Sequence, residues 1–212
     1  MCCGFGGERI SRHYHLRDTL YKTAVAAGLG PVKEGRALLP ADDRRPADIL
    51  VPNWTGRRDA ALDVTVVTPL QTATVAEAAV TPGYALTFAY QSKIRGAAED
   101  WRREGIAFLP LAVECLDGWH SAAEAEVRKL GAALARQSWQ EESEVLRHLW
   151  GRLGPLLLRG NAAILGNRLP TNPPRAVDGF HRVYPITNWL SVYLWALSYL
   201  LSSVQFIKSS EL

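Results

Sequence analysis

Residues 47–67 read ADILVPNWTGRRDAALDVTVV, in which two apolar runs flank a short polar segment that contains glycine. Apolar runs of this length on both sides of a glycine-containing turn are typical of a β-hairpin. We therefore expect strands over 47–53 and 59–67. This hairpin decides the fold, because the rest of the chain can be arranged around it.

The turn of this hairpin sets which residues face each other. A four-residue loop over 54–57 pairs Asp48 with Asp63 and puts Pro52 where no ladder hydrogen bond needs its missing N–H. The two aspartates then share one face of the sheet, with Cβ atoms about 5 Å apart. The opposite face is predicted to be core and carries Ile49, Val51, Leu62, Val64 and Val66.

Further elements follow on both sides of the hairpin, and capping signals mark several of their ends. Before the hairpin, the sequence predicts a helix from Ser11 to about Ala27 and a short strand over 36–39. After it, we expect a helix from Thr81-Pro82 to about Glu104 and a strand over 106–113. Two or three helices with capping boxes at Ser121/Glu124 and Ser138/Glu141 then reach residue 165. This order, αβββαβ followed by helices, predicts an α/β fold with a mixed sheet.

The composition excludes several classes of protein. The chain has 212 residues, 48% hydrophobic and 21% charged, which is neither a disordered nor a fibrous composition. Three cysteines are too few for a disulfide scaffold and fit a reducing, intracellular compartment. The net charge of +3 neither requires nor excludes a nucleic-acid partner.

The C-terminal part differs from the rest. Residues 183–207 contain no Asp, Glu, Lys, Arg or His. This uncharged stretch is long enough for a membrane span, although Pro185 and seven polar residues interrupt it. We expect one domain over 1–167, a Pro-rich linker over 168–184 and an apolar tail over 185–212. Membrane attachment through residues 187–207 is one interpretation of the tail. The others are a helix packed on the domain and an appended tail that never evolved with it.

A lysine lies in an apolar helix stripe. Leu86, Tyr90, Lys93, Ala97 and Trp101 fall on one face of the predicted helix, which should cover the sheet. A lysine there is costly unless it meets a carboxylate. We therefore expect Lys93 to converge with Asp48 and Asp63.

This trio points to metal-assisted chemistry. Two carboxylates placed side by side repel each other unless a cation offsets the charge, and Mg²⁺ prefers such oxygen ligands. The ion can polarise a phosphodiester and lower the pKa of an attacking water, while Lys93 stabilises developing charge.

The same residues also allow a purely structural interpretation. Asp48 could belong to the turn after Arg45-Pro46. Asp63 could pair with Arg57 or Arg58 at the surface, and Lys93 could extend into solvent. Elsewhere, Glu114 either orients the site or caps a loop.

Three short motifs resemble a known family. Arg12-His13, Arg45-Pro46-Ala47-Asp48 and Asp63-Val64-Thr65-Val66 are similar to the C-terminal restriction-endonuclease-like, or PD-(D/E)xK, domain of non-LTR retrotransposon reverse transcriptase polyproteins. The resemblance covers about residues 8–120, and the chain looks like a fragment of such an element. Thr65 stands where the family has its lysine, and Tyr14 where it has asparagine. The Cys/His knuckle of the family is incomplete, with Cys2-Cys3 and two histidines, His13 and His15, present.

The resemblance implies a Mg²⁺-dependent endonuclease that nicks target DNA in the nucleus. Asp48 and Asp63 would be the metal ligands, and Lys93 would be the catalytic lysine, moved from the strand to the next helix. Basic residues of the first third would contact DNA phosphates: Arg12, Arg44, Arg45, Arg57 and Arg58. The alternative is a remnant of the same fold that binds DNA or another partner without cleaving, and for the arginines a solvated surface.

Overall fold

The computed structural model describes residues 6–33 and 47–167, which form nine helices and strands. In chain order these are α1 (Gly6–Ala26), β1 (Val32–Lys33), β2 (Ile49–Thr55), β3 (Arg58–Val67), α2 (Val75–Ala78), α3 (Tyr84–Arg103), β4 (Ala107–Glu114), α4 (Ser121–Ser138) and α5 (Glu142–Gly166).

The strands form one mixed sheet in the order β1-β2-β3-β4. The pairs β1–β2 and β2–β3 are antiparallel, whereas β3 and β4 run parallel. A parallel pair needs a crossover connection, and α3 provides it. The predicted α/β fold with a mixed sheet and C-terminal helices is confirmed.

The main core lies between the sheet and helices α1, α4 and α5. The apolar face of α1 predicted from its spacing is buried, with Leu16, Leu20 and Ala24 fully inaccessible. The hairpin residues predicted as core are also in this layer, apart from Val66, which is half-buried against it. Helices α1 and α4 therefore cover one face of the sheet, and α5 packs on both of them and contributes Leu149, Leu153 and Leu157 to the core.

Helix α3 covers the opposite face. Trp101 is fully buried against Ala47 and Ala61, and Leu86 packs with Val67 and Ala112. These contacts place the predicted stripe of α3 on the sheet. They also place Lys93, in the middle of that stripe, above β3.

The hairpin turn differs from the prediction of a four-residue loop. Thr55 pairs with Arg58, so the loop has only two residues, Gly56 and Arg57, both with left-handed φ angles of 56° and 65°. Such two-residue turns match the twist of the strands. An irregularity in β2 between Val51 and Thr55 shifts the register back, so that Ile49 still pairs with Leu62. The predicted alignment of Asp48 with Asp63 is therefore kept, for a different reason.

Several helix starts also differ. Helix α1 begins at Gly6 and not after Ser11, and α3 begins at Tyr84 with left-handed Gly83 as its cap, not at Thr81-Pro82. Both predicted capping boxes are wrong. His120 caps α4 through its side chain, and Ser138 ends α4, where its hydroxyl donates to the Leu134 carbonyl.

A buried polar link joins α1 to α5. The guanidinium of Arg12 donates through Nη1 to Oδ1 of Asn161, and Nδ2 of Asn161 donates to the carbonyl of Cys115, just after β4. Arg12 and Asn161 are each 6% exposed. The link fixes the beginning of α1 relative to the end of the sheet.

The predicted strand over 36–39, the linker over 168–184 and the tail over 185–212 lie outside the described residues. Within the described ranges, no helix combines the length and apolarity that crossing a membrane demands.

Candidate active site

A cavity of about 550 Å³ opens where the N-terminal half of α1, the beginning of β2, the middle of β3 and α3 meet. All three residues predicted from the sequence to form a site line it. The full lining is Arg9, Ile10, Arg12, His13, Tyr14, Ala47, Asp48, Asp63, Val64, Thr65, Val66 and Lys93.

Asp63 and Lys93 form an ion pair in this cavity. The Nζ of Lys93 lies 2.8 Å from Oδ2 of Asp63, and the Thr65 hydroxyl donates to the same oxygen at 3.2 Å. The Asp63 side chain is 15% exposed and that of Lys93 is 42% exposed. Asp63 pairs with this lysine and not with the arginines of the hairpin turn.

Asp48 uses both of its carboxylate oxygens. Oδ1 lies 3.0 Å from Nε2 of His13, and Oδ2 accepts a hydrogen bond of 2.7 Å from the backbone N–H of Val64. The side chain of Asp48, which immediately precedes β2, thus bonds to the backbone of β3. This bond holds the carboxylate against the strand that carries Asp63.

The two aspartates interact electrostatically. Burial raises the pKa of Asp63, the neighbouring charge of Asp48 adds to this rise, and the ammonium of Lys93 opposes it. At this wall of the cavity two carboxylates face one ammonium, while Arg9 and Arg12 also line the cavity. A cation held between the two aspartates would offset their mutual repulsion.

Residues of α1 that the prediction did not place in the site form the opposite wall. The sequence offers His13 as part of an incomplete knuckle, whereas in the structure its ring contacts Asp48. Tyr14 is 40% exposed at the cavity, and the guanidinium of Arg17 stacks on its ring at 4.2 Å from the centroid. The signal in the sequence was the Arg12-His13 motif, which marks the turn of α1 that faces Asp48.

The arginines predicted to bind DNA are dispersed. Arg12 lines the cavity but is mostly buried by its link to Asn161. Arg57 and Arg58 are exposed at the hairpin turn, about 17 Å along β3 from Asp63 at 3.3–3.4 Å per residue. Arg44 and Arg45 lie outside the described residues, as do Cys2 and Cys3 of the predicted knuckle.

Glu114 does not line the cavity. It pairs with Val67 at the end of β4, about 13 Å along the sheet from Asp63, and its backbone N–H bonds to the carbonyl of Gly118. Burial raises the pKa of its carboxyl group. The two predicted roles of Glu114 were to orient the site or to cap a loop, and its position fits the cap of the loop that follows β4.

The donor set of the cavity fits Mg²⁺ better than a softer metal. Over residues 6–33 and 47–167, no three His, Cys, Asp or Glu side chains are grouped closely enough to form a metal site by themselves. Mg²⁺, however, is commonly held by one or two carboxylates together with waters and substrate phosphates. Asp48 and Asp63 supply that number of carboxylates.

No family model, no curated protein and no solved structure matches this chain.

Proposed function

We propose that the cavity between α1 and α3 cleaves phosphodiester bonds in DNA with the help of Mg²⁺. The observation that carries the proposal is the contact of Lys93 with Asp63 inside a cavity that also holds Asp48. A pair of carboxylates beside one lysine supplies the ligands and the positive charge that this hydrolysis requires. The resemblance of the short motifs to retrotransposon endonucleases supports the same chemistry.

Each residue has a distinct part in this proposal. Asp48 and Asp63 would hold the ion, which supplies Lewis acidity and a more acidic water when bound. Lys93 stabilises the negative charge that develops on the phosphate, from a position fixed by Asp63. The hydrogen bonds from His13 and from the Val64 N–H keep the Asp48 carboxylate oriented toward the cavity.

The test is the nicking of supercoiled plasmid DNA by the purified full chain, with Mg²⁺ and with EDTA. We expect nicking only with Mg²⁺, and we expect Asp63→Asn to abolish it. Asp100→Asn is a matched control, because Asp100 lies on α3 with its side chain 62% exposed, and it should keep full activity. Nicking that persists in Asp63→Asn would refute the assignment of the site.

A second function has its own support. Thr65 stands where the resembling family has a lysine, and Lys93 already neutralises Asp63, so the same cavity could bind DNA phosphates without cleaving them. DNA binding that persists in EDTA, together with intact plasmid after incubation with Mg²⁺, would favour this function.

A further inference from the structure

Two cavities of about 320 Å³ and 340 Å³ lie along the contact between α1 and α5 and share Leu156 and Arg159 as lining residues. We call these two cavities together the groove. Arg12 lines the first of them and also the candidate site. The groove is therefore a neighbour of the candidate site, with Arg12 between them.

The groove carries mostly positive charge. Arg152 and Arg159 of α5 are exposed in it, together with His15 of α1. Among the lining residues the one acid is Glu8, whose carboxylate accepts a hydrogen bond of 2.9 Å from Asn167. An anionic ligand would thus meet guanidinium groups along most of the groove.

Within the described part of the chain, the arginines of α5 that line the groove lack the acidic partners that Arg102 and Arg128 have. Arg102 of α3 bonds to Glu99 at 2.8 Å, and Arg128 of α4 bonds to Glu124 at 2.7 Å. Residues 145–166 of α5 contain no Asp or Glu, and neither Arg152 nor Arg159 forms an ion pair with another residue of the described ranges. Their charge is available to a ligand.

We propose that this groove binds the phosphate backbone of the nucleic acid strand that leaves the candidate active site. Arg152 and Arg159 are seven residues apart on one helix face, or about 10.5 Å, which is long enough for the two side chains to contact different phosphates of one strand. Guanidinium groups match phosphate oxygens well. The path of the nucleic acid strand from the candidate active site into the groove rests on the proposed function. The binding of phosphates by the groove does not.

The test measures binding without cleavage. The full chain is titrated into a fluorescein-labelled DNA duplex in EDTA at several salt concentrations, with fluorescence anisotropy as the readout. The logarithm of the binding constant falls with the logarithm of the salt concentration, and each lost phosphate contact reduces the magnitude of this slope by about 0.9. The double variant Arg152→Gln/Arg159→Gln should therefore reduce it by about 1.8. Arg95→Gln/Arg102→Gln is a matched control, since these exposed arginines are also seven residues apart but lie on the outer face of α3.

The outcomes separate this inference from the proposed function. Equal slopes for the groove variant and wild type, or no binding of DNA by the full chain, would overturn the groove. Displacement of DNA by poly-glutamate at equal charge would also overturn it, because it would indicate a site for acidic peptides. A reduced slope in a chain that never nicks plasmid with Mg²⁺ would support the groove and refute the nuclease. Circular dichroism of both double variants should show unchanged helix content.

Discussion

The ammonium of Lys93 and the carboxylate of Asp63 are in contact at 2.8 Å. Lys93 belongs to helix α3, whereas Asp63 belongs to strand β3, which comes earlier in the chain. The contact exists because α3 crosses over the sheet between the parallel strands β3 and β4. Lys93 on the covering helix and Thr65, two residues further along β3, thereby contact the same oxygen of Asp63.

The first prediction concerns this lysine. Lys93→Gln should lower the rate of Mg²⁺-dependent nicking about 10²-fold, because a positive group aimed at developing phosphate charge is lost. It should also destabilise the fold by about 1–2 kcal/mol, because a carboxylate that is mostly buried loses its charged partner. Urea unfolding and plasmid nicking measure the two effects. Lys22→Gln, at an exposed position of α1, should change neither.

A double-mutant cycle isolates the contact itself. In the Asp63→Asn background, Lys93→Gln should cost less stability than it does in the wild type, because the charged pair is already absent. Equal costs in both backgrounds would mean that Lys93 and Asp63 do not interact in solution.

The second prediction concerns Asp48, whose side chain holds the backbone N–H of Val64. Asp48→Ala removes this acceptor and should destabilise the protein by about 1–3 kcal/mol. Asp48→Asn keeps an oxygen in place and should recover most of that loss, while neither variant nicks DNA. Similar unfolding midpoints for the two variants would contradict the bond to Val64.

The third prediction compares two glycines of α5. A Cβ at Gly160 would lie 2.5–2.8 Å from Cβ, Cγ and Cδ of Arg12, whereas a Cβ at Gly151 would meet nothing within 4 Å. Gly160→Ala should therefore destabilise the protein by about 1–3 kcal/mol, and Gly151→Ala should stabilise it by about 0.5–1 kcal/mol through helix propensity. Thermal unfolding of both variants checks the opposite signs. A stabilising Gly160→Ala would show that α1 and α5 are not packed this closely.

The fourth prediction concerns pH. Burial lowers the pKa of His120 below 6.5, and its ring stacks on Tyr90 with centroids 4.1 Å apart. Its Nδ1 must be unprotonated to accept from the Ala122 N–H at the start of α4. Because the unfolded chain takes up the proton first, stability should be full above about pH 6.5 and should fall as the pH drops toward the lower folded pKa.

Asparagine at position 120 would cap α4 with a side chain that does not titrate. His120→Asn should remove this part of the pH dependence and keep the start of α4, because Asn is a good N-cap residue. His148→Asn, at an exposed position of α5, should leave the pH profile of the wild type. Unfolding midpoints measured between about pH 5 and pH 8 compare the three proteins.

The sequence was sufficient where backbone periodicity alone decides. Alternation along β3 and the 3.6-residue repeat along α3 fix which residues face each other, and they predicted Asp63 beneath Lys93. The hairpin loop was mispredicted because Asn53 and Arg57 adopt left-handed φ angles of 53° and 65°, which non-glycine residues seldom do.

Contacts between elements that are distant in the chain were harder to predict from the sequence. The repeat of α1 indicates its buried face, but it does not indicate that His13 meets the beginning of β2. The cap of α4 was missed because histidine is not among the residues preferred there. In both cases the geometry depends on packing of whole elements, which no local pattern encodes.

The link between Arg12 and Asn161 joins residues that are 149 positions apart. During synthesis α1 therefore leaves the ribosome long before its partner helix exists, and the link can form only once α5 has been made. The contacts of α1 with β2, β3 and α4 involve earlier parts of the chain and do not need α5. The buried guanidinium of Arg12 thus meets Asn161 only after almost the whole described chain has been translated.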